Sequence, residues 1–120
     1  MINDYHIKMN PPVLLFILIL KEKTMAFILT AFDRTDTGAL ERRMKTRPEH
    51  LEKISLIKKA GEYLFGGAIL NDSGVMIGSV IIYDVPDRAT LDALLENEPY
   101  IYNHVWEKIE IRPFRPAKIE

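Results

Sequence analysis

The regular part of the chain opens with an apolar segment, Ala26 to Phe32, which is rich in β-branched and aromatic residues and gives way to the polar residues 33–36. This composition, ended by turn-forming residues, predicts a β-strand. The apolar residues follow one another without the alternation of a half-exposed strand, so both faces are expected to be covered. The segment is therefore predicted to lie in the middle of a sheet.

Two helical segments are predicted next. Gly38 to Thr46 forms the first, with Thr37 as its cap. The second runs from Pro48 to about Ala60, because the N–H that proline lacks would have no intrahelical partner in a first turn. Gly61 supplies the stop of this second helix.

The second helical segment is amphipathic. Its apolar stripe is predicted to contain Leu51, Ile54, Leu56 and Ile57, with charged residues on the other side. His50 shares a face with Ile54 and Ile57 through the i, i+4, i+7 spacing. The His50 side chain is therefore expected to point towards the sheet.

A β-hairpin is predicted after the helices. Tyr63 to Leu70 has the composition of a strand, and Gly66-Gly67 in its middle marks a bulge or the close approach of another group. Residues 71–74 are all suited to a turn. Val75 to Tyr83 is then the antiparallel return strand.

The last part of the chain predicts a helix, a turn and a strand. Asp87 is a candidate N-cap for a helix from Arg88 to about Asn97. Pro99 restarts a short turn over Glu98 to Tyr102. Val105 to Phe114 alternates as a final strand before prolines end it.

The predicted order is β-α-β-β-α-β, the ferredoxin-like arrangement of the α+β class. It implies a four-stranded antiparallel sheet with both helices on one face. Because the strands are apolar on both sides, the bare face of the sheet would expose a large apolar patch in a monomer. A homodimer whose two sheets pack face to face, a dimeric α/β barrel, is the predicted solution.

Residues 1–24 differ in composition from the rest and are predicted to be an extension outside the domain, which covers residues 25–120, or alternatively an extra strand or helix packed on it. The apolar run Val13 to Leu20 is too short to span a bilayer as a helix, which needs about 20 apolar residues. A signal peptide is not favoured, because Lys21-Glu22-Lys23 stands where small cleavage residues should begin. Met25 is an alternative start, and no membrane association is predicted.

Composition narrows the classes of function. The 120 residues carry a formal charge of -1 and no cysteine. The missing basic tract argues against nucleic acid as a partner. The missing cysteine removes disulfides, thiolate catalysis and Cys-based zinc sites, and it fits a reducing cytoplasm, which is the predicted location.

No metal or cofactor is predicted. The three histidines, His6, His50 and His104, show no ligand spacing. The glycines form neither a dinucleotide-binding nor a phosphate-binding loop. Ser79 lacks the Gly-x-Ser-x-Gly surroundings of a nucleophile elbow, so a Ser-His-acid mechanism is not expected.

From Met25 to about Phe114 the chain resembles the YciI-like proteins, a family of the dimeric α/β-barrel group that also includes muconolactone isomerase and small barrel monooxygenases. The matching pieces occur in the family's order and cover most of the domain. They are the strand ending at Asp33, Arg47-Pro48-x-His50-Leu51, Gly61, Gly66-Gly67, Gly78-Ser79, Pro99-Tyr100 and Pro113-Phe114.

The resemblance implies a pocket in each subunit with a histidine and an acidic residue as an acid/base pair. The histidine corresponds to His50. The family's usual Asp-Pro-Tyr stands here as Glu98-Pro99-Tyr100, which keeps the charge and adds one methylene. Few activities are assigned in this family, and chloromuconolactone dehalogenation is among them.

His50 and Glu98 are accordingly the candidate catalytic residues. An imidazole held by a carboxylate can take and return a proton at neutral pH. Each residue also has a structural interpretation. His50 beside an apolar stripe can be a core histidine, and Glu98 before Pro99 can favour a helix start through the helix dipole.

Arg47, Ser79 and Tyr100 are the candidate substrate-binding residues. The planar guanidinium of Arg47 suits a substrate carboxylate. Alternatively it pairs with Glu49 or Asp36 on the surface. Ser79 and Tyr100 can donate hydrogen bonds in a pocket, or they can serve sheet packing and the core.

The sequence therefore leaves two alternative functions open. The first is a cofactor-free enzyme in which His50 and Glu98 move a proton on a small organic acid, as in a lyase, isomerase or dehalogenase reaction. The second is a non-catalytic dimeric module that binds a small ligand or supports another protein. The first requires a His50 nitrogen and a Glu98 oxygen within hydrogen-bond reach beside a cavity.

Overall fold

The computed structural model describes residues 26–119, and the predicted extension 1–24 lies outside the described residues. Four strands and three helices follow one another along this part of the chain. They are β1 (Ala26–Asp33), α1 (Ala39–Lys59), β2 (Tyr63–Leu70), β3 (Met76–Tyr83), α2 (Arg88–Leu95), α3 (Pro99–Tyr102) and β4 (Trp106–Phe114).

The four strands form one antiparallel sheet in the order β2-β3-β1-β4. This is the predicted ferredoxin-like α+β arrangement, and β1 is central as expected. The core lies between the helices and one sheet face. Leu29 of β1 and Leu91 of α2 are fully buried there, and Tyr83 of β3 is almost so.

Helix α1 is a single helix of 21 residues with Pro48 inside it. The prediction of two helical segments with a break at residue 47 was wrong. An internal proline removes one intrahelical hydrogen bond and crowds the preceding turn. Here residues on both sides of Pro48, Arg43 and His50 among them, are buried against the sheet, and this tertiary packing holds the helix together.

The buried face of α1 also differs from the predicted stripe. Ile54 and Ile57 pack against the core as expected, whereas Leu51 and Leu56 are about half exposed. His50 is buried, with 8% of its surface exposed. The face that meets the sheet therefore runs through His50, Ile54 and Ile57, which is the i, i+4, i+7 series.

Strands β1 and β3 approach each other closely at Gly78. A Cβ atom at this position would lie 2.4 Å from the carbonyl oxygen of Ala31 in β1. Only glycine fits without a shift of the backbone. Gly78 thereby fixes the register next to Ser79, whose side chain points to the opposite face of the sheet.

The sheet face away from the helices is mixed in character. Strand β1 contributes Ile28, Thr30 and Phe32 to it, and in β3 Ile82 pairs with Ile28 and Val80 with Thr30. On β2, Phe65 is 68% exposed. Strand β4 adds an alternating charged row at the edge of the same face, made up of Lys108, Glu110 and Arg112.

No helix within residues 26–119 is long and apolar enough to cross a membrane.

Candidate functional site

His50 and Glu98 meet in the interior. His50 lies in the middle of α1, and its Nδ1 is 2.6 Å from Oε1 of Glu98. Both side chains are buried, Glu98 to 5% exposure. The two predicted catalytic residues, 48 positions apart in sequence, are therefore in direct contact.

Glu98 reaches His50 from the start of α3. It is the N-cap of this short helix, with Pro99 in the first position, and its Oε1 accepts a hydrogen bond from the backbone N–H of Tyr100 at 3.0 Å. Glu98 therefore caps the start of α3, as its structural interpretation predicts, and it also contacts His50. One carboxylate oxygen serves both purposes.

The ring of Tyr100 packs flat on His50. The two ring centroids are 3.9 Å apart and the planes differ by 13°. Trp106, the first residue of β4, meets both rings edge-on, at 6.4 Å from His50 and 5.5 Å from Tyr100. The imidazole is held by Glu98 at one nitrogen and by aromatic rings on its face and edge.

A second buried cluster centres on Arg43, one of the few buried charged residues of the domain. Its Nη1 donates to Oδ1 of Asp33 at 2.8 Å, and its Nη2 donates to Oγ of Ser79 at 2.8 Å. Trp106 joins the cluster by donating from Nε1 to the same Ser79 oxygen at 3.2 Å. The cluster links α1 to strands β1, β3 and β4.

Arg43 also touches the aromatic column. Its guanidinium carbon lies 4.7 Å from the centre of the Tyr100 ring, a cation–π distance. Positions 43 and 50 are two turns apart on α1, so the Tyr100 ring contacts both turns. The Nε of Arg43 is the one fully buried side-chain nitrogen or oxygen in the described range without a hydrogen-bond partner.

Burial shifts the pKa of Tyr100 and of Asp33 in this region. It raises the pKa of the Tyr100 phenol, although the positive charges of Arg43 and Arg47 oppose the rise. It also raises the pKa of the Asp33 carboxyl, against the attraction of Arg43. The Tyr100 hydroxyl therefore remains a neutral donor at physiological pH.

A cavity of about 80 Å³ lies beside these groups. A single buried water needs roughly 10–15 Å³ on this measure, so the space suits a small organic molecule. Its walls come from α1, the hairpin and α3. The chemically active lining residues are Arg43, Arg47, His50, Tyr63, Ser79 and Tyr100.

All five predicted site residues therefore lie at or next to this cavity. Arg47, His50, Ser79 and Tyr100 line it, and Glu98 is reached through His50. Asp36, an alternative partner for Arg47, pairs instead with Arg42. Within residues 26–119, no group of three histidine, aspartate or glutamate side chains is arranged to hold a metal ion.

Sequence reasoning did not include Arg43, Asp33 or Trp106 among the candidate site residues. A signal for Arg43 existed, because it precedes His50 by seven positions and so shares its face in a continuous helix. The predicted break at residue 47 hid this relation. Asp33 was seen only as the end of a strand.

The fold and the buried site define a ferredoxin-like α+β domain with a small polar cavity under its long helix. The model of the YCII-related domain family matches residues 25–115, and the chain belongs to this family. The chain is 29% identical over 97 residues to protein YciI of Escherichia coli and to protein YciI of Shigella flexneri. In both cases the match covers 76% of this chain and 97% of the relative.

A solved structure shares the fold. It is the 5-chloro-2-hydroxyhydroquinone dehydrochlorinase of Burkholderia phenoliruptrix in complex with 2,5-dihydroxybenzoquinone. The TM-score is 0.67 at 21% identity, and the superposition covers 78% of this chain and 96% of that one. The similarity shows that the two chains share the ferredoxin-like α+β fold of the subunit.

Proposed function

We propose that this protein is a cofactor-free acid/base enzyme in which His50, held by Glu98, moves a proton on a small organic acid. The observation that carries the proposal is the 2.6 Å contact between His50 Nδ1 and Glu98 Oε1, next to a cavity that His50 itself lines. Buried carboxylate–imidazole pairs at a cavity suit general acid/base catalysis.

The contact assigns the two nitrogens of His50 different roles. Oε1 of Glu98 already accepts the Tyr100 N–H, so it acts as an acceptor, and the hydrogen of the contact belongs on Nδ1. In the neutral ring Nε2 then carries the free lone pair. Nε2 is the atom that takes the proton from a ligand, and Glu98 stabilises the imidazolium that forms.

Arg47 provides the charge for an acidic ligand. It lines the cavity from α1, one turn before His50. Its guanidinium fork suits a carboxylate or another planar anion. The structural neighbour is named a dehydrochlorinase and holds a dihydroxybenzoquinone. Elimination or isomerisation on a small acidic ring or acid therefore fits the proposed chemistry.

The assembly completes the proposal. We propose a homodimer in which the exposed sheet faces pack together, because Phe65, Val80 and Ile82 would otherwise meet water. A cytoplasmic location stays a prediction.

A deuterium-exchange screen tests the proposed reaction. The protein is incubated in D₂O with a panel of small keto, hydroxy and halogenated organic acids, and proton NMR follows loss of C–H signals and changes of product. Catalysed exchange is expected for some members. His50→Asn and Glu98→Gln should each lower it by about 10²–10⁴-fold, the usual contribution of general acid/base catalysis.

Matched variants control for the substitutions themselves. His104→Asn changes an exposed histidine whose φ of 59° asparagine tolerates. Glu96→Gln removes an exposed carboxylate two residues before Glu98. Both should leave exchange unchanged. Absence of catalysis across the panel, combined with binding of a panel member, would favour the non-catalytic ligand-binding module, in which His50 is simply a packed and hydrogen-bonded core residue.

A further inference from the structure

We propose that the Ser79 hydroxyl is a fixed hydrogen-bond donor for a ligand oxygen that carries or develops negative charge. The ligands of this cavity are then enols, phenols or enolisable carbonyl compounds. The inference rests on the proposed function, because it names the class of substrate on which His50 acts. Arg43 and Trp106 are positioning residues in this scheme.

The argument begins with the valence of the hydroxyl. A serine oxygen has two acceptor lone pairs and one O–H to donate. Arg43 Nη2 and Trp106 Nε1 can only donate, and both point to this oxygen, at 2.8 and 3.2 Å. Both lone pairs are thereby occupied. The only hydrogen bond that the Ser79 hydroxyl can still form is therefore one that it donates.

That hydrogen has no acceptor within the described part of the protein. The hydrogen bonds of Ser79 Oγ to residues 26–119 are the two that it accepts. Ser79 is 2% exposed, so solvent does not supply an acceptor freely, and a buried donor without a partner is unfavourable. Because Ser79 lines the cavity that His50 also lines, a ligand can supply the missing acceptor.

Electrostatics favours a negative acceptor. The hydroxyl accepts from a cation, and hydrogen bonds in such a chain polarise one another. Asp33 pairs with Nη1 of Arg43, which leaves Nη2 to the hydroxyl. The hydrogen bond from Arg43 therefore makes the Ser79 O–H a stronger donor. Preorganised donors of this kind stabilise negative charge that develops on a ligand oxygen.

The chemistry follows from the two groups together. His50 Nε2 takes a proton from a carbon next to a carbonyl, and the C–H electron pair forms a C=C bond. The carbonyl π pair moves to oxygen, which becomes an enolate and accepts the Ser79 O–H. The imidazolium then returns the proton to carbon, or the enolate re-forms its carbonyl and expels a leaving group from the next carbon with its electron pair, and the imidazolium gives its proton to that group or to water.

The test uses 4-nitrophenol, whose phenolate absorbs visible light and whose pKa lies near neutrality. Bound to the wild-type protein, it is expected to ionise more readily than in water. The shift is about one to two pKa units, since a hydrogen bond to a charged group is of that size. Ser79→Ala should remove most of this shift while the protein remains folded by circular dichroism.

Two further variants sharpen the test. Thr30→Val removes a hydroxyl from β1 on the face away from the cavity and should keep the full shift. Trp106→Phe releases one lone pair, so the hydroxyl can rotate and the shift should fall between those of wild type and Ser79→Ala. An intermediate value is not expected if Trp106 merely packs.

The outcomes separate this inference from the proposed function. An unchanged shift in Ser79→Ala, or no binding of 4-nitrophenol to the wild-type protein, overturns the donor role of Ser79. Loss of catalysed exchange in His50→Asn would then still support acid/base catalysis. A Ser79-dependent shift in the pKa of 4-nitrophenol without any catalysed exchange would support the oxyanion site and contradict the proposed enzymatic function.

Discussion

The imidazole of His50 lies parallel to the phenol ring of Tyr100, with 3.9 Å between centroids and 13° between planes. The same Tyr100 donates its backbone N–H to the carboxylate that holds His50. A single residue therefore controls the rotation of the imidazole and the position of its partner. Tyr100 was predicted to bind substrate as a hydrogen-bond donor in the pocket, and the stacking offers a positioning role.

Substitution of Tyr100 separates these two roles. Tyr100→Phe keeps the ring and the backbone N–H, so catalysed exchange should stay within a few-fold of wild type. Tyr100→Leu removes the stack and should lower exchange by at least tenfold, with a stability loss of about 2–4 kcal/mol. Exchange rates and urea unfolding measure both. Equal losses in the two variants would assign the function to the hydroxyl.

The buried Arg43–Asp33 pair should contribute far more to the free energy of unfolding than the exposed Arg42–Asp36 pair. Breaking a buried pair by Arg43→Met or Asp33→Asn is expected to cost about 3–5 kcal/mol, because an unpaired charge stays buried. The double variant should cost less than the sum. Urea unfolding of the four proteins gives the coupling energy.

The control for that cycle lies one residue away. Arg42 and Asp36 are also 2.8 Å apart, but their side chains are 31% and 49% exposed. Arg42→Met and Asp36→Asn should change the free energy of unfolding far less, since solvent screens an exposed pair. Similar effects in both cycles would mean that burial does not set the strength of these pairs.

The pKa values of Asp36 and Asp33 should be shifted in opposite directions from the ordinary value. Hydrogen bonds from Arg42 lower the pKa of Asp36 to about 2, so its contribution to stability is present above its unfolded pKa and is lost as the pH falls towards 2. Burial raises the pKa of Asp33, so its contribution is greatest at low pH and declines as the pH rises through the folded pKa. Carbon-13 NMR of the carboxyl groups measures both pKa values. Arg42→Gln should return the pKa of Asp36 to near its ordinary value.

A methyl group at Gly66 should disturb the cavity. A Cβ atom there would lie 2.9 Å from the Val80 carbonyl oxygen and 3.0 Å from the Tyr63 hydroxyl, which belongs to a cavity-lining residue. Gly66→Ala is expected to cost about 1–3 kcal/mol and to weaken binding of 4-nitrophenol. Gly67→Ala, with nothing within 4 Å of its Cβ, is the comparison and should remain stable.

A charge on the open sheet face should separate the proposed dimer. Val80→Glu places a carboxylate in the middle of that face, where a packed partner sheet would bury it without a partner. Sedimentation velocity should show a dimer for wild type and a monomer for Val80→Glu. Leu56→Glu, on the exposed side of α1, should leave the dimer intact. A dimeric Val80→Glu protein would place the interface elsewhere.

The sequence predicted the sheet well because its signals are local. The uninterrupted apolar residues of β1 indicated a central strand, and the turn at residues 71–74 indicated the hairpin, and both are found. Helix α1 was divided in error, because the cost of an internal Pro48 is local whereas the packing that outweighs it comes from distant strands.

The candidate site was predicted unevenly for the same reason. The periodicity of the helix placed His50 on the sheet side, and the family resemblance supplied Glu98 as its partner. The Arg43 cluster joins residues 33, 43, 79 and 106, whose proximity depends on the register of three strands. A buried arginine looks like a surface arginine in sequence until that register is known.

The double use of Glu98 bears on how such sequences evolve. Its carboxylate caps α3 and holds His50 with the same oxygen, so a substitution is penalised in folding even when no reaction is under selection. A relative without the proposed reaction would still be expected to keep an acidic residue before Pro99. An acidic residue at this position therefore identifies the turn, and under the proposed mechanism it is the histidine across from it that distinguishes a catalytic chain.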